Sequence, residues 1–306
     1  MSAPTPKTVA YVGTVSGTSI SFGSSVQVTT NRVNGLYNNT CFDTANNKVI
    51  YVFASLDNSY YGQAVVGTVS GSSISFGTIV TFASSGTDFI NAVYDTQNSK
   101  VIIAYSDSGA SYTGKVIVGT VSGTSISFGS AVSYTSNGAE YMQMGYDEAV
   151  GKFNIFYRGN TFGNTTGRYV TGSVSGTTPT VSSETVFTSG TFFGYPYGVT
   201  FDSGQNRIVL NSRDLGNSGY GAAFVLRNAG TVSNYDTWVG ISTEAISSGS
   251  TGTITVLGGV NEQQTGLTVG STYYVAADGT LSTTDTGYKI GKAIAATDLL
   301  ITEGNT

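Results

Sequence analysis

One twelve-residue stretch constrains this chain more than any other. It is Val12-Gly13-Thr14-Val15-Ser16-Gly17-Thr18-Ser19-Ile20-Ser21-Phe22-Gly23, and it returns almost letter for letter at Val66–Gly77 and Val118–Gly129. A worn copy lies at Thr171–Val181 and a trace at Phe224–Arg227. Gly13, Gly67, Gly119 and Gly172 are separated by 54, 52 and 53 residues. Self-similarity at such a period marks a fold built from stacked or ringed copies of one supersecondary unit. Each copy reads as a hairpin: Ile20 and Phe22 alternate with Ser19 and Ser21, and Ser-Gly-Thr-Ser supplies the turn.

A second signature keeps the same period. An aromatic-Asp pair is followed five residues after the Asp by Lys or Arg and an apolar run, at Phe42-Asp43…Lys48, Tyr94-Asp95…Lys100, Tyr146-Asp147…Lys152 and Phe201-Asp202…Arg207. The Asp side chain suits the backbone amides of a tight loop, and the Lys or Arg is expected near it across the hairpin. Four equivalent copies beside turn residues argue for structure, not catalysis.

Together the signatures define a unit of four antiparallel strands, in the second copy Asn91–Tyr94, Val101–Ser106, Lys115–Ser122 and Ser125–Tyr134. A single such sheet cannot bury both faces, whereas ringed sheets can. The expected fold is all-β: a β-propeller of about four four-stranded blades over residues 1–230, then a small β-sandwich or barrel-like module over 231–306. Phe42, Val49, Tyr51, Ile102, Ile103, Tyr105, Phe156 and Leu210 are expected to fill the seams between sheets. The fourth unit lacks its last strand and the amino-terminal segment has one to spare, so donation of that strand is expected to close the ring; five blades with one incomplete is the alternative. In the second module Tyr235–Ile246, Thr253–Leu257, Thr272–Ala276, Gly279–Thr283 and Tyr288–Ala295 read as strands, Ala277-Asp278-Gly279 as a hairpin turn, and Trp238 as core or interface. A module of this size favours oligomerisation or docking.

Composition narrows the function. Lys and Arg number 13 against 18 Asp and Glu, a balance unsuited to a phosphate backbone, and no apolar run is long enough to span a membrane. The absence of histidine removes Ser–His and Cys–His catalysis, and a lone cysteine, Cys41, reads as core filler. No cofactor or metal is expected.

The connections differ from copy to copy on one side only. Those between first and second strands, and third and fourth, are nearly uniform. Those between second and third strands diverge, and each carries an aromatic: Tyr60 and Tyr61, Tyr112, Phe162 and Tyr220. The segments joining one unit to the next hold Arg32…Tyr37, Asp88-Phe89, Glu140-Tyr141, and Phe192 to Tyr197. The candidate ligand-binding residues are therefore Tyr60, Tyr61, Tyr112, Phe162, Tyr220, Phe89, Tyr141, Tyr195 and Tyr197. A tyrosine offers a flat apolar surface with a hydrogen-bonding tip, which suits stacking on sugar rings. The bland reading is that these rings fold inward to close the loops. Asp57, Asp107, Glu140 and Asp214 are the carboxylates a glycosidase would draw on.

The stretches Trp238–Ile246, Gly266–Val275, Asp278–Thr284 and Gly291–Ile301 resemble a recurrent module of tailed-bacteriophage virion proteins, where it ends tail-fibre-like or head-appendage chains. The resemblance implies a virion location, contacts to other virion proteins through the second module, a homotrimer, and a propeller displayed toward a host surface glycan or protein. It carries over no catalytic residue. The expectation is thus a non-enzymatic virion structural protein. The alternatives are a capsid decoration or cement protein without receptor binding, a glycan-degrading virion enzyme, and a secreted cellular lectin, against which the missing export signal speaks.

Overall fold

A computed structural model describes residues 8–136, 138–161, 164–188, 196–204, 206–214, 220–228, 241–245, 251–256, 258–275, 280–284 and 289–302. These are almost all β, with no α-helix, and fall into two compact units, 1–228 and 229–306.

The first unit opens with β1 (Val9–Ala10), β2 (Gly13–Ser16), β3 (Ser19–Phe22) and β4 (Val26–Gln27). The first repeat is β5 (Val33–Asp43), β6 (Lys48–Ser55), β7 (Tyr61–Ser70) and β8 (Ser73–Phe76). Then β9 (Val80–Asp95) serves two repeats at once: its first half pairs with β7 and its second half with β10 (Lys100–Asp107). The second repeat continues with β11 (Thr113–Ser122), β12 (Ser125–Phe128) and β13 (Val132–Thr135). The third is β14 (Ala139–Asp147), β15 (Lys152–Thr161), β16 (Asn164–Ser175), β17 (Thr178–Val181) and β18 (Thr185–Val186). The fourth is β19 (Pro196–Asp202), β20 (Arg207–Asp214) and β21 (Tyr220–Leu226). Every pairing in these sheets is antiparallel.

The outer strand expected as one piece is broken in two. β12 pairs with one end of β11 and β13 with the other, and Gly129 lies between them. The break follows from a close approach. A Cβ on Gly129 would lie 2.4 Å from the Thr177 carbonyl oxygen, one on Gly77 1.8 Å from that of Thr124, and one on Gly23 1.8 Å from that of Ser72. At each repeat the glycine ending one hairpin touches the turn of the next. Only a residue without a side chain fits there.

Apolar seams follow these contacts. Ile50, Val52, Ala64 and Val66 of the first repeat pack on Ile103, Tyr105, Val121 and Ile126 of the second. Ile102, Val116 and Val118 pack in turn on Phe153, Ile155 and Val174 of the third. Phe156 then meets Ile208 and Leu210 of the fourth. Burying an aliphatic side chain of this size contributes about 1.5–3 kcal/mol. Phe42 corrects the seam list, since its side chain is exposed. Cys41 packs beside the first seam, and burial pushes its thiol up to about 12.

The aromatic-Asp signature bridges repeats. Asp95 accepts from the Tyr146 hydroxyl, 51 residues on, at 2.5 Å, and the Tyr94 hydroxyl lies against Asp43. Burial alone would raise the Asp43 carboxyl. Tyr94, the Asn46 side chain and the amides of Asn46 and Ala45 bring it below the usual range instead. The fourth repeat has Phe201 where a tyrosine would stand, and Asn228 Nδ2 donates to Asp147 in its place at 3.0 Å. Lys48 is the register partner of Asp43, across the hairpin as expected, and its ammonium donates to Thr68 Oγ1.

The expected donation of an amino-terminal strand to the fourth repeat is not seen. Among the described residues β1 pairs with β4 and β2 with β3, while β21 pairs with β20 alone. The amino-terminal segment is a hairpin equivalent to third and fourth strands together. It packs on the first repeat through Ala10 and Val28 against Phe53, Val65 and Phe76.

The second unit holds β22 (Ile241–Ser242) paired with β23 (Ile254–Thr255), and a sheet in the order β24 (Val260–Asn261), β28 (Leu299–Ile301), β27 (Lys289–Ala293), β25 (Thr272–Val275), β26 (Leu281–Ser282). Its core is Leu267, Tyr273, Val275, Ile290, Ala293, Leu299 and Ile301. Buried Asn261 donates to the Ile241 and Ser242 carbonyls and accepts from Gln264 Nε2, tying the two sheets together. Trp238 and the Ala277–Gly279 turn lie outside the described residues.

Replacing Gly77 with alanine is expected to lower unfolding stability by about 1–3 kcal/mol, the cost of overpacking a site bounded by backbone. Urea denaturation measures it, and an unchanged midpoint would show that the hairpin contact does not set the repeat spacing.

Candidate functional site

The segments joining successive repeats are not loops, as the sequence suggested at Asp88-Phe89 and Glu140-Tyr141, but the beginnings of inner strands with a bulge in them. Phe89 and Ile90 together oppose Tyr105, and Tyr141 and Met142 together oppose Tyr157. The same level of β5 is irregular over residues 34–37. Phe89 and Tyr141 both take φ near 49°, a left-handed backbone uncommon for an aromatic residue. A bulge re-aims a side chain and is a common device at binding sites.

The outcome is a row. The Tyr37 and Phe89 ring centroids are 4.8 Å apart at 56°, and those of Phe89 and Tyr141 are 4.8 Å apart at 57°. Three repeats thus contribute one ring each with the same step and tilt. The Arg158 guanidinium sits over the Tyr141 ring at 4.4 Å and pairs with Glu140. Burial raises the Tyr37 hydroxyl above its ordinary value, helped by Asp88, Tyr141, Tyr112 and Glu140, so these side chains share one neighbourhood. The Asp88 carboxyl is also raised. Its burial is the cause, and a hydrogen bond from Ser108 works against it.

The connections between second and third strands flank this row. Each of the first two makes a single 3₁₀ turn, Leu56–Asn58 and Ser108–Ala110, and then two left-handed residues. Those residues are Ser59 and Tyr60, with φ of 51° and 62°, and Ser111 and Tyr112, with φ of 56° and 60°. The Tyr60 carbonyl accepts from the Thr87 amide at 2.9 Å, and that of Tyr112 from the Ala139 amide at 3.0 Å. The backbone is thereby pinned to the next repeat while the Tyr60 and Tyr112 rings stay exposed. Strained backbone held by its surroundings costs about 1–3 kcal/mol per residue and clusters at functional sites.

Of the residues proposed from sequence, Phe89 and Tyr141 stand in the row with Tyr112 near it. Tyr60 is exposed and Tyr61 half-buried on the first repeat. Tyr197 and Tyr220 are on strands, but their side chains, with all of Phe162 and Tyr195, lie outside the described residues. The candidate carboxylates are engaged singly. Asp57 binds Arg32 at 2.6 Å, buried Asp107 binds Lys115 at 2.6 Å, and Glu140 binds Arg158. The Asp214 side chain is not described. Tyr37 is the member of the row that the list of candidates omits. The signal for it was present, since Tyr37, Phe89 and Tyr141 recur every 52 residues.

Among the described residues no three His, Cys, Asp or Glu side chains gather as a metal site. The second unit carries an open cavity of about 1110 Å³ lined by Ile241, Glu244, Gln264, Thr268, Tyr273 and Leu281 among others. Glu244, the one carboxylate among its described lining residues, accepts from the Thr253 amide, and the Tyr273 hydroxyl accepts from the Thr268 amide. The candidate carboxylates Asp57, Asp107 and Glu140 and the left-handed aromatics are in the first unit.

No family model and no curated protein matches the chain. Solved structures do. The intramolecular trans-sialidase from Ruminococcus gnavus, in complex with oseltamivir carboxylate, is 9% identical with a TM-score of 0.44, covering 72% of this chain and 59% of its own. NanB with Optactamide is 12% identical with a TM-score of 0.45, over 68% and 34%. The exo-β-1,3-galactanase from Phanerochaete chrysosporium, with β-1,3-galactotriose, is 9% identical with a TM-score of 0.41, over 73% and 58%. The chain therefore spans about a third to three-fifths of these proteins. The expectation of a non-enzymatic virion structural protein is corrected here. Two of the solved structures named are a trans-sialidase and a galactanase, and the exclusion of an enzyme is withdrawn.

Asp88 should leave a mark on stability. Its folded carboxyl holds a proton more tightly than the unfolded one, so it costs stability above its folded pKa. That cost fades as pH falls toward the ordinary Asp range. Asp88→Asn is expected to raise the urea midpoint at pH 7, with wild type recovering the difference by about pH 4. Equal midpoints at pH 7 would contradict the burial of this carboxyl.

Proposed function

We propose that residues 1–228 form a β-propeller-type domain of four repeats that recognises a glycan chain across its aromatic row. The observation that carries this reading is the Tyr37–Phe89–Tyr141 row with Asp88, Glu140 and Arg158 beside it. Aromatic rings accept the apolar faces of sugar rings, and the charged groups accept and donate to hydroxyls. Exposed Tyr60 and Tyr112 extend the surface outward.

A second reading rests on the carboxyls. Asp88 is pushed toward the protonated form by burial, while Glu140 is paired with a guanidinium. Two carboxyls whose surroundings differ in this way suit a general acid and a carboxylate base or nucleophile in glycoside hydrolysis. In this assignment Asp88 protonates the leaving oxygen, and Glu140 either activates water or attacks the anomeric carbon.

The likeness of residues 238–301 to tailed-phage appendage modules supports a virion location, with the second unit as the docking or trimerising part. Many copies on a particle would strengthen weak glycan contacts by avidity.

Titration calorimetry against a panel of neutral and acidic oligosaccharides tests the recognition reading. Phe89→Ala and Tyr141→Ala are each expected to weaken binding about tenfold, the loss of one stacking contact. Equal affinity in wild type and both variants would refute it. Release of reducing ends tests the second reading: Asp88→Asn is expected to abolish it while binding persists.

A further inference from the structure

The twelve-residue motif allows one comparison no single site permits, because each copy meets the same kind of neighbour. Its apolar face carries a Val, an Ile and a Phe at fixed places. In the second-repeat copy Val121 and Ile126 are buried, with Ile126 3% exposed, under the first repeat's Ile50, Val52 and Val66. In the third-repeat copy Val174 is buried under the second repeat's Val116 and Val118. In the first-repeat copy, which has only the amino-terminal hairpin before it, Ile74 is 7% exposed and Val69 41%. The amino-terminal copy differs, with Val15 72%, Ile20 56% and Phe22 65% exposed. Its sequence is that of a face made to be covered by a preceding repeat.

The other end of the array presents what would cover it. The positions of Ile50 and Val52 are occupied by Val209 and Asn211 in the fourth repeat, and those of Ala64 and Val66 by Ala223 and Val225. In the first three repeats this face packs on the next one. In the fourth it is open, with Val225 59% exposed. Among the described residues, both halves of the interface that recurs through the first unit are therefore present and uncovered, one at each end.

We propose that the open face of the fourth repeat in one molecule seats on the amino-terminal hairpin of a second copy, extending the internal repeat-to-repeat packing from chain to chain. The interface is heterologous, since the surface each copy offers differs from the one it receives. Such contacts close into a ring or run on as a chain, according to the rotation per copy. The occupant is argued from continuity with the three internal seams, and the proposal is independent of the glycan reading.

Two single variants of the full chain test it, Ile20→Lys at the hairpin and Val225→Lys on the fourth repeat. Sedimentation velocity over a concentration series is expected to show wild type forming a larger species than either variant alone. An equimolar mixture of the two variants should regain a larger species, because one supplies an intact hairpin and the other an intact fourth-repeat face. Identical sedimentation of wild type, variants and mixture would overturn the proposal. Lower melting temperatures in both variants without any change in mass would overturn it too, by showing that the two ends close on each other within one molecule.

Discussion

A hydrogen atom where a methyl group would collide sets the pitch of this molecule. Gly23, Gly77 and Gly129 let one hairpin reach the turn of the next, and every seam follows from that distance. With the turns in register, the apolar faces of successive sheets interlock, and the Tyr146 hydroxyl of one repeat reaches the buried Asp95 of the one before. The polar bridges contribute less than the seams in free energy, but they fix the register, because a buried carboxylate without its partner is costly. Where the pattern lapses at Phe201, Asn228 restores the donor from the end of the unit.

Rigidity at one end of the sheets has consequences at the other. The uniform hairpins and aromatic-Asp turns lie opposite the divergent connections, as antiparallel strands require. Because the repeats are held at constant spacing, a bulge repeated in each inner strand lines up Tyr37, Phe89 and Tyr141 at equal steps. A periodic scaffold thus makes a periodic surface. The left-handed backbones at Tyr60, Phe89, Tyr112 and Tyr141 oppose the fold locally and are tolerated because the seams around them are fully packed.

Much of this was legible in the sequence. The twelve-residue motif and the aromatic-Asp turns placed the strands of the first three repeats, and the alternation of Ile and Phe with Ser marked their buried faces. The broken outer strand was not, because the cause is a contact between residues nearly fifty positions apart. The bulges were not either: Asp88-Phe89 reads as a polar-aromatic loop until β9 is seen to run through it unbroken. Phe42 misled because side chains alternate along a strand: its chain neighbour Cys41 faces the seam while Phe42 faces outward. In the candidate site, the aromatic identities were readable from the divergent connections, but their grouping was not. Tyr37 and Arg158 gain meaning only from the row. The role assigned from the carboxy-terminal resemblance fared worst, since it spoke for the whole chain from its smaller unit.

The account stands on the claim that evenly spaced sheets align the three rings into one binding surface. An experimentally determined structure of the full chain soaked with a bound oligosaccharide tests this most directly. The account predicts sugar rings seated along Tyr37, Phe89 and Tyr141, with ring centroids still about 5 Å apart. Splayed rings, or sugar bound away from them, would contradict it.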